Sequence, residues 1–164
     1  MPSVEAGMAG PLTALSPIRL AFAQKAFIVS GGRLLLVRKS ASDPFHPGRW
    51  EVPGGRLEED DLDLDDHIRR EVWEEVGLKI DPGAAFHLWQ WFMPDRAAPA
   101  QRGRVRVVAA ARRCRPLTLD AGLENQDAGD HLDECAWVPL DELHAYDLIP
   151  SLRPVIRAFL VPPR

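Results

Sequence analysis

The chain has 164 residues, of which 46% are apolar and 27% charged, proportions that fit one ordinary globular domain. Its formal charge of −4 argues against stable nucleic-acid binding, and no apolar run reaches the length of a membrane span. No basic segment followed by an apolar one suggests secretion, so a cytoplasmic location is expected. Cys114 and Cys135 lie far apart without metal-site spacing and read as two buried thiols rather than a disulfide.

Residues 1–23 are rich in Ala, Pro and Gly, with Pro2, Pro11 and Pro17 breaking any periodicity. They read as a partly ordered N-terminal extension, leaving residues 24–164 as the domain. Lys25 to Arg38 reads as a hairpin, two β-prone apolar runs joined by Ser30-Gly31-Gly32-Arg33. The second run, Leu34-Leu35-Leu36-Val37, has no polar alternation and suits a central strand buried on both faces. Arg38 and Lys39 read either as a charged strand end or as a phosphate contact. After a loop from Ser40 to Arg49, Trp50-Glu51-Val52-Pro53 forms a short strand leading into Gly54-Gly55, where the backbone can bend or approach a ligand without a Cβ in the way.

Seven of the nine residues from Glu58 to Asp66 are acidic, so the negative charge is concentrated here. A helix is expected from about Asp60 to Val76, with Asp60, Asp61 and Asp63 all competent N-caps and Gly77 placed for a left-handed C′ position. Glu71, Glu74 and Glu75 fall within an arc of about 100°, while Ile68, Val72 and Val76 fall on the neighbouring arc and should be buried. Crowding like charges at these spacings costs roughly 0.2–0.5 kcal/mol per pair. A divalent cation would reverse that sign, and carboxylates are hard oxygen ligands suited to Mg2+ or Mn2+ and, through the metal, to phosphates. The plainer alternative is a solvated acidic face. The glycine pair at the entry, the Arg70-Glu71 pair and the Gly77 stop favour a site. Arg70 would orient the glutamates through a bidentate contact. His67, one turn before Glu71, reads as a surface or supporting residue and is left outside the site.

Beyond the helix, Asp81-Pro82-Gly83 reads as a turn and Phe86 to Met93 as a strand, with Trp89 and Trp91 on one face and Leu88, Gln90 and Phe92 on the other. The tryptophans read as sheet-packing residues, or as a platform for a nucleobase. Asp95 to Gly103 is a polar loop, and Val105 to Ala111 is a strand that should pair with the one before it. Leu117 to Gly129 is a loop, Asp130 to Val138 leads into Pro139–Leu143, and a last helix covers about Ser151 to Leu160.

The run Arg70-Glu71-Val72-Trp73-Glu74-Glu75-Val76-Gly77-Leu78 resembles in full the second half of the Nudix box, G-x5-E-x7-R-E-U-x-E-E-x-G-U with U aliphatic. The first half departs from it: Asp61 stands where the family has Glu, and eight residues rather than seven separate it from Arg70, so either the loop carries one extra residue or Leu62 takes the slot. PGRWEVPGG before the box and WVPLDEL near the end extend the similarity. The resemblance implies an α/β fold, a Nudix-type α/β/α sandwich with a mixed sheet. It implies metal-dependent hydrolysis of a phosphoanhydride in a nucleoside diphosphate-linked or nucleoside triphosphate substrate. Mg2+, or Mn2+, would be held by Glu71, Glu74, Glu75, the Gly54 carbonyl and one of Asp130, Asp133 and Glu134, preferred in that order, with Glu71 as ligand or general base. Exposed strand edges in such a fold often pair, which leaves a homodimer open. One alternative is a catalytically weakened Nudix domain that binds a nucleotide or sugar nucleotide, supported by the altered Glu slot. Another is a protein-interaction surface made of the acidic stretch and the Trp-rich strand, which leaves the full second-half match unexplained. Which nucleotide is taken is not legible.

Overall fold

A computed structural model describes residues 19–94 and 104–161. The expected extension thus lies mostly outside the described residues, as does the 95–103 loop. Strand β1 (Arg19–Ser30) already includes residues 19–23, so the sheet begins before the boundary read from sequence. It turns through Gly31 (φ 54°) and Gly32 (φ 72°) into β2 (Arg33–Lys39), the paired positive φ values of a tight hairpin turn. Then come β3 (Trp50–Glu51), β4 (Gly54–Arg56), helix α1 (Leu64–Val76), β5 (Ile80–Pro94), β6 (Arg104–Pro116), β7 (Leu132–Pro139) and helix α2 (Arg153–Leu160).

The strands make one mixed sheet in the order β3-β2-β1-β6-β5, with β4 on β1 and β7 on β2. β1 runs parallel to β6 from Arg19↔Val105 to Ile28↔Cys114, and the other pairings are antiparallel. Both faces of the β1–β2 hairpin are buried, as the unbroken Leu34–Val37 run requires. Ala26, Ile28, Leu35 and Val37 pack with Ile68, Val72 and Val76 of α1. Phe27, Leu34 and Leu36 pack on the other side with Val155, Ile156 and Phe159 of α2. The result is helix, sheet and helix in three layers. Burial of each such side chain contributes roughly 1.5–3 kcal/mol, and Phe27, 5.0 Å from both Phe86 and Phe159, anchors the α2 side.

Two local readings need correction. The helix does not begin at Asp60: Asp63 is its N-cap, accepting from the backbone N–H groups of Asp65 and Asp66, and the residues before it form a turn. The Asp81-Pro82-Gly83 segment is not a turn but part of β5, whose pairing with β6 shifts register on either side of Ala85. β5 lies at the edge of the sheet, where the missing N–H of Pro82 costs little, and Gly83 lies so close to the Arg113 carbonyl that a Cβ would collide with it. Gly77 does take the left-handed conformation (φ 68°), its N–H donating to the Trp73 carbonyl at 3.0 Å. Cys114 and Cys135 are free thiols, the first buried and the second half-buried. Among the described residues no helix is long and apolar enough to cross a membrane.

Candidate active site

A cleft of about 840 Å³ opens between α1, the start of β4 and the strands β1 and β5. Glu71, Glu74, Glu75 and Arg70 all line it, brought there by the helical spacing that buries Ile68, Val72 and Val76 on the adjacent arc. The glycine pair makes this approach sterically possible. Gly54 (φ 137°) lies against the Gln24 backbone carbonyl, and a Cβ on Gly55 would fall into the Glu71 carboxylate. The glycines therefore admit β1 and Glu71 to the site.

Arg70 organises the carboxylates. Its Nη2 donates to both oxygens of Asp61 at 2.9 Å, and its Nη1 reaches Glu74 at 3.1 Å and Glu71 at 3.3 Å. Burial works to lower the Arg70 guanidinium, but Asp61, Glu71 and Glu74 outweigh it and hold it above its ordinary value. Asp61 also accepts from the Glu58 N–H at 2.8 Å, and these contacts hold its carboxyl below the usual range. Leu62 is 95% exposed. Of the two residues that could stand at the altered box position, Asp61 is therefore the one that reaches Arg70.

Glu75 is buried and accepts from the Gly54 N–H at 2.9 Å. Burial pushes its carboxyl up to about 8, with Glu51 adding to the rise and Lys25, the Gly54 N–H and Lys39 opposing it. Glu74 is raised by burial, helped by Glu71 and Asp127 and opposed by Arg70. The Gly54 carbonyl faces Lys25 Nζ at 3.0 Å, and the same ammonium pairs with Glu51 at 3.0 Å. Lys39 pairs with the other Glu51 oxygen at 3.3 Å and donates to the Asp130 carbonyl at 3.3 Å. Burial alone would raise Glu51, but Lys25 and Lys39 overcome it and keep the carboxyl low.

Of the three later acids, only Asp130 lines the cleft, together with Asp127. Its carboxyl is raised by burial and by the nearby Asp127 and Glu71. Asp133 and Glu134 point elsewhere and hold Arg38 at 2.7 and 2.9 Å, with the Arg38 guanidinium over the Trp50 ring. The Arg38-Lys39 pair is therefore divided, Arg38 into a surface ion cluster and Lys39 into the cleft. His67 is not a surface residue: it is 1% exposed, and its ring lies beneath Glu71 and Asp61. Sequence reasoning also passed over Gln24, Lys25 and Glu51, all buried. The available signal was two adjacent polar residues, Gln24-Lys25, inside an otherwise apolar strand.

The opposite wall is apolar. Through the pairings Trp89↔Ala109↔Ala23 and Trp91↔Val107↔Ala21, the register places both indoles two strands from the small β1 residues that line the cleft. The indoles lean on each other at 5.8 Å, while Leu88 and Phe92 face the exposed side.

Among the described residues, no three His, Cys, Asp or Glu side chains stand close enough to hold a metal ion as they are. The donor set nonetheless fits a hard divalent cation, since Glu71, Glu74 and Glu75 line one cavity with Asp130 nearby. Glu74 would have to exchange Arg70 for the ion, and the Gly54 carbonyl would have to share with Lys25.

A NUDIX-domain family model matches residues 22–159. Nucleoside triphosphatase NudI of Klebsiella pneumoniae (strain 342) is 28% identical over 130 residues, covering 77% of this chain and 86% of that protein. Phosphatase NudJ of Escherichia coli (strain K12) is 27% identical over 112 residues, or 68% of this chain and 63% of NudJ, so the match leaves over a third of NudJ uncovered. The crystal structure of a MutT protein from Methanosarcina mazei Go1 superposes with a TM-score of 0.70 at 24% identity, covering 88% of this chain and 96% of that one, and shows the same fold. Nudix hydrolases generally use divalent metal ions. With the family model spanning nearly all the described residues and the box helix placed on the cleft, the chain belongs to the NUDIX family of pyrophosphohydrolases.

Proposed function

We propose that the chain hydrolyses a phosphoanhydride bond in a nucleoside triphosphate or a nucleoside diphosphate derivative, with Mg2+ or Mn2+ held by Glu71, Glu74 and Glu75 and assisted by Asp130 and the Gly54 carbonyl. The observation that carries this reading is the convergence of the three helix carboxylates on one cleft whose far wall presents a tryptophan pair. A divalent ion bound there would neutralise phosphate oxygens and acidify a water. Lys39 and Lys25 add positive charge to the same wall for the phosphates. Arg70 keeps Glu71 and Glu74 in register, and Glu71, where it serves as general base rather than as a ligand, takes the proton from the attacking water. That water's oxygen bonds to phosphorus, the bridging P–O bond breaks, and the leaving phosphate carries away the bonding electron pair. Trp89 and Trp91 offer a flat apolar surface for the base. The names of NudI and NudJ, a nucleoside triphosphatase and a phosphatase, support a substrate of this class.

The reading as a binding module with a weakened box drew its support from the altered Glu slot. The fork between Asp61 and Arg70 weighs against it.

The test is release of phosphate, pyrophosphate or nucleoside monophosphate from a panel of triphosphates and diphosphate derivatives, with and without Mg2+ or Mn2+. Turnover that requires the metal and falls by orders of magnitude in a folded Glu74→Gln variant is the expected result. Metal-independent turnover, or none on any member of the panel, would overturn the proposal.

A further inference from the structure

Beneath the carboxylates runs a chain of buried and half-buried polar contacts whose donor directions follow from the Arg112 guanidinium at one end. It begins at Arg112 on β6, which is anchored by Nε donating to the Gly83 carbonyl at 2.8 Å and by an ion pair with Asp65 at 2.6 Å. Arg112 Nη1 donates to Gln24 Oε1 at 3.1 Å. A guanidinium has no lone pair to offer, so the Gln24 oxygen must face it and the amide cannot be reversed. Gln24 Nε2 then donates to the Leu64 carbonyl at 2.7 Å and to His67 Nδ1 at 2.8 Å. His67 Nδ1 is therefore an acceptor, and the neutral ring carries its proton on Nε2. That nitrogen donates to the Arg56 carbonyl at 3.2 Å, and the same edge of the ring faces Glu71 Oε1 at 3.6 Å and Asp61 Oδ2 at 3.9 Å, beyond hydrogen-bond reach. The opposite tautomer would turn a lone pair toward all three. Glu71 is thus enclosed by the His67 N–H below, the Gly55 backbone beside it and Arg70 Nη1 at 3.3 Å.

We propose that His67 is a positioning residue for Glu71, locked by Gln24 as the Nε2–H tautomer so that an N–H rather than a lone pair faces the Glu71 carboxylate in the cleft. This rests on the reading of Glu71 as a working carboxylate. A ring so held orients its neighbour without touching substrate, the role that partners of ligating groups commonly play.

The first measurement is the nitrogen NMR spectrum of the wild-type imidazole, which needs no variant. His67 should show a bare Nδ1 and a slowly exchanging proton on Nε2, and an Nδ1–H tautomer would overturn the proposal. The second is Gln24→Glu, whose carboxylate can only accept and so draws a proton onto Nδ1. Where the same spectrum shows that Nε2 has lost its proton, kcat should fall by about 10–100-fold with KM within a factor of about two, and a wild-type kcat in that neutral ring would overturn the proposal. His67→Gln, which keeps an N–H donor, should retain more activity than His67→Phe; equal kcat in the two would overturn it as well. A wild type that turns over nothing would count against the hydrolase reading, and the tautomer would still decide which face of the ring meets Glu71.

Discussion

The α1 wall of the cleft and the β5 wall differ in how much is held in place. On the first, Asp61, Glu71 and Glu74 share the Arg70 guanidinium, and Lys25, Glu51, Lys39 and Gly54 share a second set of contacts. On the second, Trp89 and Trp91 lean on Ala23, Val107 and Ala109, and the buried Trp89 indole N–H has no hydrogen-bond partner. Phosphoryl chemistry needs oxygens and cations held to fractions of an ångström. Stacking a base needs only a flat face and tolerates lateral displacement. Under the proposed function the walls divide the work, turnover on one and recognition on the other, and substitutions should separate the two.

The largest effect outside the carboxylates themselves is expected at Gly55. In Gly55→Ala the new methyl would displace the Glu71 carboxylate, and misplacement on that scale costs on the order of 10²-fold. The prediction is a loss in kcat with substrate binding retained, measured by steady-state kinetics beside a thermal melt. Unchanged kcat would mean that Glu71 can work from another position. A smaller effect is expected on the other wall. Trp91→Ala should raise KM about 5- to 150-fold, since a stacked base is worth about 1–3 kcal/mol, while kcat stays near wild type. If KM rose equally for a substrate lacking a base, such as a linear polyphosphate, the tryptophans would have no part in base recognition.

The smallest effect concerns pH. Burial holds the Glu75 carboxyl up to about 8 in the folded, metal-free chain, whereas its ordinary value is 4.5. Between those values the folded state carries the extra proton, so the contribution of Glu75 to stability is full below the lower value and is lost as pH rises toward the upper one. Melts in the presence of chelator should show a fall in Tm across that window, and Glu75→Gln should flatten it. A fall of the same size in the variant would assign the slope to other groups.

Much of this molecule was legible without coordinates. The spacing of Ile68, Val72 and Val76 against Glu71, Glu74 and Glu75 announced a helix with one buried and one acidic face. Gly31-Gly32 announced the hairpin, and the unbroken Leu34–Val37 run announced a strand covered on both sides. These follow from the periods of helix and strand, which are local properties of the backbone. Other features depended on partners distant in sequence. Asp61 could be told from Leu62 only by which of them reaches Arg70, nine residues on, across a loop of irregular path. Asp81-Pro82-Gly83 had the composition of a turn, yet it pairs with β6 because an edge strand can absorb a proline and a bulge. Gln24 and His67 are 43 residues apart and neither signals the other, although their side chains meet at 2.8 Å beneath Glu71. Composition and period determined the elements, and the motif from Arg70 to Leu78 carried the resemblance to the family. The tertiary structure alone decided which acids face the cleft, because a buried polar group is stable only where another part of the chain supplies its partner.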